Sequence, residues 1–241
     1  MKPPHAERCA EALAAWEARR SSDTRWFAPP RHNIWQVTSR VNALLACLDY
    51  VQRSLSADLH SFQVLDVGCG RGDGLTPFLL AGFHSGQLHG IELFEDRVAL
   101  ARQRLPGVEV VQGDATDMSC FATGSFDLVC EQFTFCHIAD DVVVERISRE
   151  MLRVVKKHGY LIVFDWIVGS RKAQYNAITN RKIERWFRVG DQTELLRRFR
   201  GQLYPPVGRF ISTLVPFLYP LAQAILPFAV GSKLTLLKRL P

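Results

Sequence analysis

The 241-residue chain is short of the features that would tie it to an oxidising compartment, a metal scaffold or a bilayer. Its six cysteines, Cys9, Cys47, Cys69, Cys120, Cys130 and Cys136, include no C-x-x-C pair. Neither a zinc site nor a disulfide framework is suggested, and all six read as small buried hydrophobes. The opening MKPPHAERCAEALAAWEARR lacks the uninterrupted apolar core of about 7 to 15 residues that a secretory signal needs, which makes the cytoplasm the expected location. Internal repeats and low-complexity tracts are absent. Hydrophobic residues make up 47% and charged residues 22%, a balance that excludes both a disordered chain and a membrane-embedded one. Acidic residues become scarce late in the chain: residues 153–209 hold 13 basic side chains against 4 acidic, whereas residues 1–152 hold 14 against 20. A basic half attracts nucleic acid, an anionic membrane surface or a phosphorylated substrate, or is simply the solvated face of helices.

Charge is missing altogether from Phe210 to Ser232, 23 residues reading FISTLVPFLYPLAQAILPFAVGS. Length alone would let such a stretch cross a bilayer, which takes about 20 apolar residues of helix. Pro216, Pro220 and Pro227 argue against a straight span, because a proline inside a helix costs about 3 kcal/mol or more. The stretch is expected to be an apolar lid or packed insertion that walls a ligand pocket, with peripheral membrane contact through residues 210–232 as the alternative.

Apolar residues at Val37, Val41, Leu44, Leu45, Leu48 and Val51 have the period of an amphipathic helix. Before it, SSDTRWFAPPRHN reads as a loop carrying Trp26 and Phe27, placed to close over a pocket. From residue 62 onward short apolar runs such as FQVLDV, LHGIEL, FDLVCE and YLIVFDW alternate with helical stretches, the signature of a parallel sheet with crossover helices. Pro106-Gly107 and His158-Gly159 are expected to end the helices that precede them. GDQTELLRRF reads as a helix with Asp191 as N-cap and Glu194 at the third position. Arg181, Lys182, Arg185 and Arg188 precede it and form a candidate phosphate site. KLTLLKRLP is expected to be an edge strand blunted by its cationic residues.

After the first strand comes LDVGCGRGDG, with Asp66 followed by Gly68, Gly70 and Gly72. A loop of this kind lets backbone approach a ligand, although any tight strand-to-helix turn also uses glycine. The dinucleotide fingerprint G-x-G-x-x-G does not fit: counted from Gly68 its third glycine is Asp73, and counted from Gly70 it is Leu75. What fits is D-x-G-x-G-x-G, whose carboxylate suits a cationic group better than a pyrophosphate. Glu92 ends the second strand, where an acid accepts both ribose hydroxyls in doubly wound nucleotide-binding folds. Asp114, after the third strand, is placed to accept from an adenine amino group.

These segments, VLDVGCGRGDG, GIELFEDRVALAR, GDA, FDLVCEQFTFCHIADD and MLRVVKKHGYLIVFDW, resemble in order the motifs of class I S-adenosylmethionine-dependent methyltransferases over residues 62–168. The resemblance implies an α/β, Rossmann-like doubly wound fold: a mostly parallel seven-stranded sheet with an antiparallel edge strand, an N-terminal helical extension and a C-terminal apolar insertion. It divides the chain into a lid extension (1–60), a cofactor core (61–168) and a substrate region (169–241). It also implies S-adenosyl-L-methionine as cofactor. Asp66, Gly68, Gly70 and Gly72 would hold its methionine end, Glu92 the ribose, Leu93, Asp114 and Ala115 the adenine, and Glu131 the amino acid group.

Methyl transfer to a hydroxyl also needs a base near the carboxyl ends of the fourth and fifth strands, which selects His137, Glu131 and Asp165. His137 has the suitable ordinary pKa, although capping or packing would equally explain a histidine there. Asp140-Asp141 reads as a helix cap rather than a metal cluster, so a metal-free reaction is expected. The loop CEQF lacks the Asn/Asp-Pro-Pro-aromatic tetrad of enzymes that methylate base or amide nitrogens, which argues against a nucleic-acid substrate. The acceptor is expected to be a hydroxyl of a small molecule or glycan-type compound, phosphorylated or lipid-linked. The alternatives are a membrane-surface enzyme acting on a lipid or quinone, and a non-catalytic binding protein of the same fold.

Overall fold

A computed structural model describes residues 31–169 and 176–241, with side chains from Ile34 onward. Cys9 and the loop bearing Trp26 and Phe27 lie outside the described residues. The first element is α1 (Arg31–Ser54), which buries Ala43, Leu44, Cys47, Leu48 and Val51; of the predicted apolar positions, Leu44, Leu48 and Val51 are buried, Val41 and Leu45 are half-buried and Val37 is exposed. The strands β1 (Val64–Val67), β2 (Leu88–Glu92), β3 (Glu109–Gln112), β4 (Phe126–Gln132) and β5 (Val155–Trp166) alternate with α2 (Thr76–Leu80), α3 (Glu95–Arg104) and α4 (Asp141–Val154). Then follow α5 (Asn180–Trp186), β6 (Thr193–Arg200), α6 (Pro205–Leu214), α7 (Tyr219–Ile225) and β7 (Ser232–Arg239).

All seven strands form one sheet in the order β3-β2-β1-β4-β5-β7-β6, parallel except for β7. The order reverses between β1 and β4, so connections leave to opposite faces there and a crevice opens at the carboxyl ends of those strands. Both faces are covered, which is why β1 is buried at all four positions and its residues run as a continuous apolar set broken only by Asp66. On one face Leu44, Phe78 and Val98 pack on Val64, Leu128 and Ile162. On the other, Val143, Ile147 and Met151 of α4 pack on Leu65, Val129 and Leu161.

The C-terminal half departs from the sequence reading in three places. GDQTELLRRF is not a helix: Thr193–Arg200 is the edge strand β6, paired with β7. Leu195 packs toward one face of the sheet and Leu196 toward the other, the alternation of a strand, and an irregularity in pairing separates Leu195 from Arg197. Asp191 accordingly lies in a turn, where Arg188 (φ 48°) and Gly190 (φ 92°) take left-handed backbone. The antiparallel strand β7 falls one place in from the edge, between β5 and β6. Finally, β5 begins at Val155, so His158-Gly159 forms an irregularity inside the strand, with His158 at φ 64°, rather than a break before it. Of the cysteines, Cys47, Cys69, Cys130 and Cys136 are buried as expected, but Cys120 is exposed.

Thr235 in β7 is fully buried, and its hydroxyl has no hydrogen-bond partner among the described residues. Valine has the same shape, favours strands and carries no orphan polar atom. Thr235→Val should therefore raise the unfolding free energy by about 1 kcal/mol, read from denaturant midpoints at unchanged slope; a loss of stability would show that the hydroxyl is satisfied.

Candidate functional site

The site begins where β1 ends. Gly68 and Cys69 donate to the carbonyl of Ile91 at 2.8 and 3.2 Å, which folds the glycine loop onto the end of β2. Gly68, Gly70 and Gly72 all have left-handed backbone, at φ 72°, 57° and 82°. Their surroundings differ. A Cβ on Gly68 would fall 2.5 Å from Thr134 Oγ1, and one on Gly72 would fall 2.4 Å from Leu105 Cδ1. At Gly70 nothing lies within 4 Å. Gly68 and Gly72 thus serve close packing, while Gly70 faces open space.

Glu92 is buried at the tip of β2 and holds this loop in place. Its Oε2 accepts from the Gly70 amide at 2.8 Å and its Oε1 from the Phe94 amide at 3.2 Å. The Gly113 amide donates to the Glu92 carbonyl at 3.0 Å, which brings Asp114 and Ala115 beside Glu92 and Leu93. Asp114 is exposed and accepts from the Thr116 amide at 2.8 Å. Leu93 is exposed as well, which suits a side chain laid open to a ligand's flat face.

A second set of contacts forms around the loop after β4. Glu131 is fully buried, with Oε2 accepting from the amides of Thr134 (3.1 Å) and Phe135 (3.4 Å) and Oε1 lacking a partner among the described residues. Asp165, buried at the tip of β5, accepts from the amides of Cys136 at 2.8 Å and Trp166 at 2.6 Å. Burial pushes the carboxyls of Glu131 and Asp165 up, and for Glu131 the nearness of Asp165 adds to it. Both therefore retain protons above the ordinary carboxyl range. His137 closes the 3-10 turn Phe135–His137, half-buried, its amide donating to Thr134 O at 3.1 Å.

Asp66 sits beneath the glycine loop, almost wholly buried, with the Cys130 thiol donating to Oδ1 at 3.4 Å. Burial pushes its carboxyl up to about 7, against the opposing pull of Cys130 and of Arg40. A Cβ on Gly74 would fall 2.5 Å from Asp66 Oδ2, so this glycine, absent from the motif, is required by the carboxyl itself.

Two residues at this edge carried no recognisable signal in the sequence. Arg40 comes from α1: burial lowers its pKa, while Asp73 and Asp66 favour its charge. Its guanidinium lies 5.6 Å from the centre of the Phe133 ring. Phe133 follows β4 directly with φ 60°, a conformation non-glycine residues seldom adopt outside functional or tightly constrained sites. Its ring centre is 5.0 Å from that of Phe164 and 5.4 Å from that of Trp166. An aromatic floor thus lies at the carboxyl ends of β4 and β5. Of the expected phosphate cluster, Lys182 and Arg185 pair with Asp141 at 2.9 and 3.2 Å, Arg188 lies 3.9 Å from Asp191, and Arg181 is exposed. Asp140 caps α4 by accepting from the Val142 amide.

The raised carboxyl of Asp66 fixes the sign of a pH effect. A carboxyl whose folded pKa exceeds its unfolded value contributes stability that is complete below the unfolded pKa, about 4, and is lost as pH rises through about 7. Between pH 5 and pH 8 this group should remove about 3 kcal/mol of unfolding free energy from the ligand-free protein. Asp66→Asn should flatten that part of the profile; a variant with an unchanged slope would show that Asp66 is ionised throughout.

Residues 65–163 match a family model described as a methyltransferase domain. Among curated relatives, phthiotriol/phenolphthiotriol dimycocerosates methyltransferase of Mycobacterium tuberculosis is 32% identical over 131 residues, covering 53% of this chain and 46% of that protein. Fatty-acid O-methyltransferase of Mycolicibacterium smegmatis is 32% identical over 119 residues, covering 48% and 41%. The chain thus spans less than half the length of these relatives. Among solved structures, an S-adenosylmethionine-dependent methyltransferase of Thermotoga maritima superposes with a TM-score of 0.63 at 20% identity, covering 95% of this chain and 99% of that one. Geranyl diphosphate C-methyltransferase of Streptomyces coelicolor, in complex with S-adenosyl-L-homocysteine, superposes with a TM-score of 0.58 at 15% identity, covering 81% and 79%. The motif order, the strand order and the matched segment agree: residues 65–163 match a methyltransferase domain, and the fold is the Rossmann-like one of the S-adenosylmethionine-dependent methyltransferases on which the chain superposes.

Proposed function

We propose that the protein transfers the methyl group of S-adenosylmethionine to a hydroxyl of a small, apolar, lipid-type acceptor. The observation that carries the acceptor class is the aromatic cluster of half-buried Phe133 with Phe164 and Trp166 at the carboxyl ends of β4 and β5, against which Gly201 and Gly231 of the segment after β6 pack. The names of the mycobacterial relatives, which refer to dimycocerosates and a fatty acid, support the same class. A phosphorylated glycan draws less support, because Lys182 and Arg185 are committed to Asp141.

The residues at the crevice fit the cofactor. Gly70 opens onto free space, Glu92 and Asp114 offer carboxylate acceptors, and Leu93 offers an apolar surface between them. Asp66, buried at a cost, suits a ligand that brings its own positive charge, and Arg40 suits a carboxylate. When bound, the cofactor supplies a methyl group on a sulfonium, already electrophilic. The protein's own work is then to align the acceptor oxygen, to exclude water and to take the hydroxyl proton. Phe133, half-buried and backed by the covered rings of Phe164 and Trp166, would orient the acceptor. His137, on the turn held by Glu131 and Asp165, would take the proton at an imidazole nitrogen. Glu131, turned inward onto the loop amides, would position that turn rather than meet the cofactor.

Three outcomes check this reading. Glu92→Ala should weaken S-adenosylhomocysteine binding, measured by calorimetry, about tenfold or more, since a hydrogen bond to a charged group contributes about 1.5–3 kcal/mol; unchanged affinity would refute the ribose assignment. His137→Ala should lower kcat on a long-chain hydroxylated lipid by about 10²–10⁴ with cofactor affinity retained, and full turnover would remove it as the base. Affinity for S-adenosylmethionine should climb as pH rises through about 7, because only ionised Asp66 meets the ammonium with a full charge, and Asp66→Asn should abolish the climb.

A further inference from the structure

The chain between β6 and β7 leaves several of its large apolar side chains exposed. In α6 the fully covered positions are Gly208 and Ser212, whereas Phe210 and Leu214 are 65% and 61% exposed. Beyond it Phe217, Leu221, Ile225 and Phe228 are 72%, 53%, 62% and 84% exposed. Only a small cluster, Leu203, Tyr219, Ala222, Ala229 and Val230, lies underneath, with Trp35 of α1 stacked on Tyr219 at 6.3 Å. Hydrophobic burial would turn phenylalanine inward and serine outward if water were the only neighbour. Each short segment carries a proline at its first or second position, which breaks the stretch into short helical turns, and no helix among the described residues is long and apolar enough to cross a membrane.

The charge around this face has one sign. Residues 201–232 contain a single charged side chain, Arg209, which is exposed. Next to α7, Arg197 and Arg200 of the edge strand are exposed along a groove shared with Asn42 and Gln223, and Arg200 donates to the carbonyl of Ala224 at 2.6 Å. An apolar surface bordered by arginines matches the two layers of an anionic membrane surface, acyl chains beneath phosphate headgroups. A protein partner would have to supply acids to pair with these arginines, since residues 201–232 have no acidic residue of their own.

We propose that residues 205–229 are a docking surface for an anionic lipid bilayer, in which Phe210, Phe217 and Phe228 enter the interface and Arg197, Arg200 and Arg209 meet headgroup phosphates. β6 runs in the same direction as β5, so the insertion leaves the sheet at the carboxyl edge, where Gly231 approaches Trp166 so closely that a Cβ would lie 3.2 Å from its ring. The docked face and the aromatic floor are therefore neighbours. That the surface delivers the acceptor to this floor rests on the proposed lipid methyltransferase reading; the docking itself does not.

The test is flotation of the full chain with phosphatidylcholine vesicles, with and without phosphatidylglycerol, at low and high salt. The wild type should float with the phosphatidylglycerol vesicles and less so at high salt. Phe217→Ser combined with Phe228→Ser should weaken partitioning about tenfold or more, and Arg197→Gln combined with Arg209→Gln should remove the dependence on phosphatidylglycerol. Thermal unfolding and S-adenosylhomocysteine calorimetry on the same samples establish that each variant is folded. Failure of the wild type to float, or equal flotation of the phenylalanine variant, would overturn the proposal. So would a concentration-dependent dimer, dissolved by the same phenylalanine substitutions, in a protein that ignores vesicles. Vesicle binding without methyl transfer to a lipid would leave the docking surface standing and remove the acceptor reading.

Discussion

The crevice depends on the way the loop after β4 is fastened to the loop after β1. Glu131 receives the amides of Thr134 and Phe135, and Thr134 Oγ1 in turn donates to the carbonyls of Val67 at 3.2 Å and Gly68 at 3.3 Å. No side chain fits at Gly68 because Thr134 already occupies that space. One chain of contacts therefore sets the distance between the two loops that flank the reversal of strand order. Asp165 extends it to β5 by holding Cys136. The amides that a loop must satisfy are met from below by carboxyl groups, which leaves the upper side of each loop free for a ligand.

That fastening is electrostatically expensive. Asp66, Glu131 and Asp165 are all but absent from the surface, and burial holds each above the ordinary carboxyl range. Amide hydrogen bonds offset the cost at Glu131 and Asp165, which makes those two intelligible as structural groups. Asp66 has no backbone amide partner among the described residues, only the Cys130 thiol and the Gln132 side chain, with Arg40 at a distance. A carboxyl left so poorly compensated, at the end of the central strand and beneath an open glycine, is a place where a cationic ligand relieves an existing strain in the charge distribution.

Much of this was legible in the residues because it rests on local chemistry. A glycine run after an apolar strand, acids at strand tips and the period of α1 each follow from backbone sterics or burial alone, and the structure places Asp66, Glu92 and Asp114 along the same edge. What the sequence hid depends on neighbours distant along the chain. Thr193–Arg200 has helix-forming residues behind a convincing cap, yet β7 offers it a full ladder of backbone hydrogen bonds, and pairing outweighs propensity. Arg40 reads as one more polar position on an amphipathic helix; only the docking of α1 across the carboxyl edge, with Ser39 donating to Gly201 at 3.3 Å, aims it at the glycine loop. Phe133 directly follows an apolar strand, and no local pattern signals the positive φ it adopts beside Phe164 and Trp166.

The placement of β7 links these parts to the uncharged stretch. By entering between β5 and β6, it forces the preceding 31 or so residues (201–231) to begin and end at the carboxyl edge, beside Trp166 and above the crevice. A hairpin there could have been closed with a few residues. The chain instead builds a layer whose prolines prevent a long helix, whose small residues and Tyr219 pack inward and whose phenylalanines Phe210, Phe217 and Phe228 are exposed. Such a layer costs solubility if only water touches it, so its retention at this edge is best understood together with the floor below it: apolar surface outside, apolar surface beneath, and the methyl-transfer crevice at their junction.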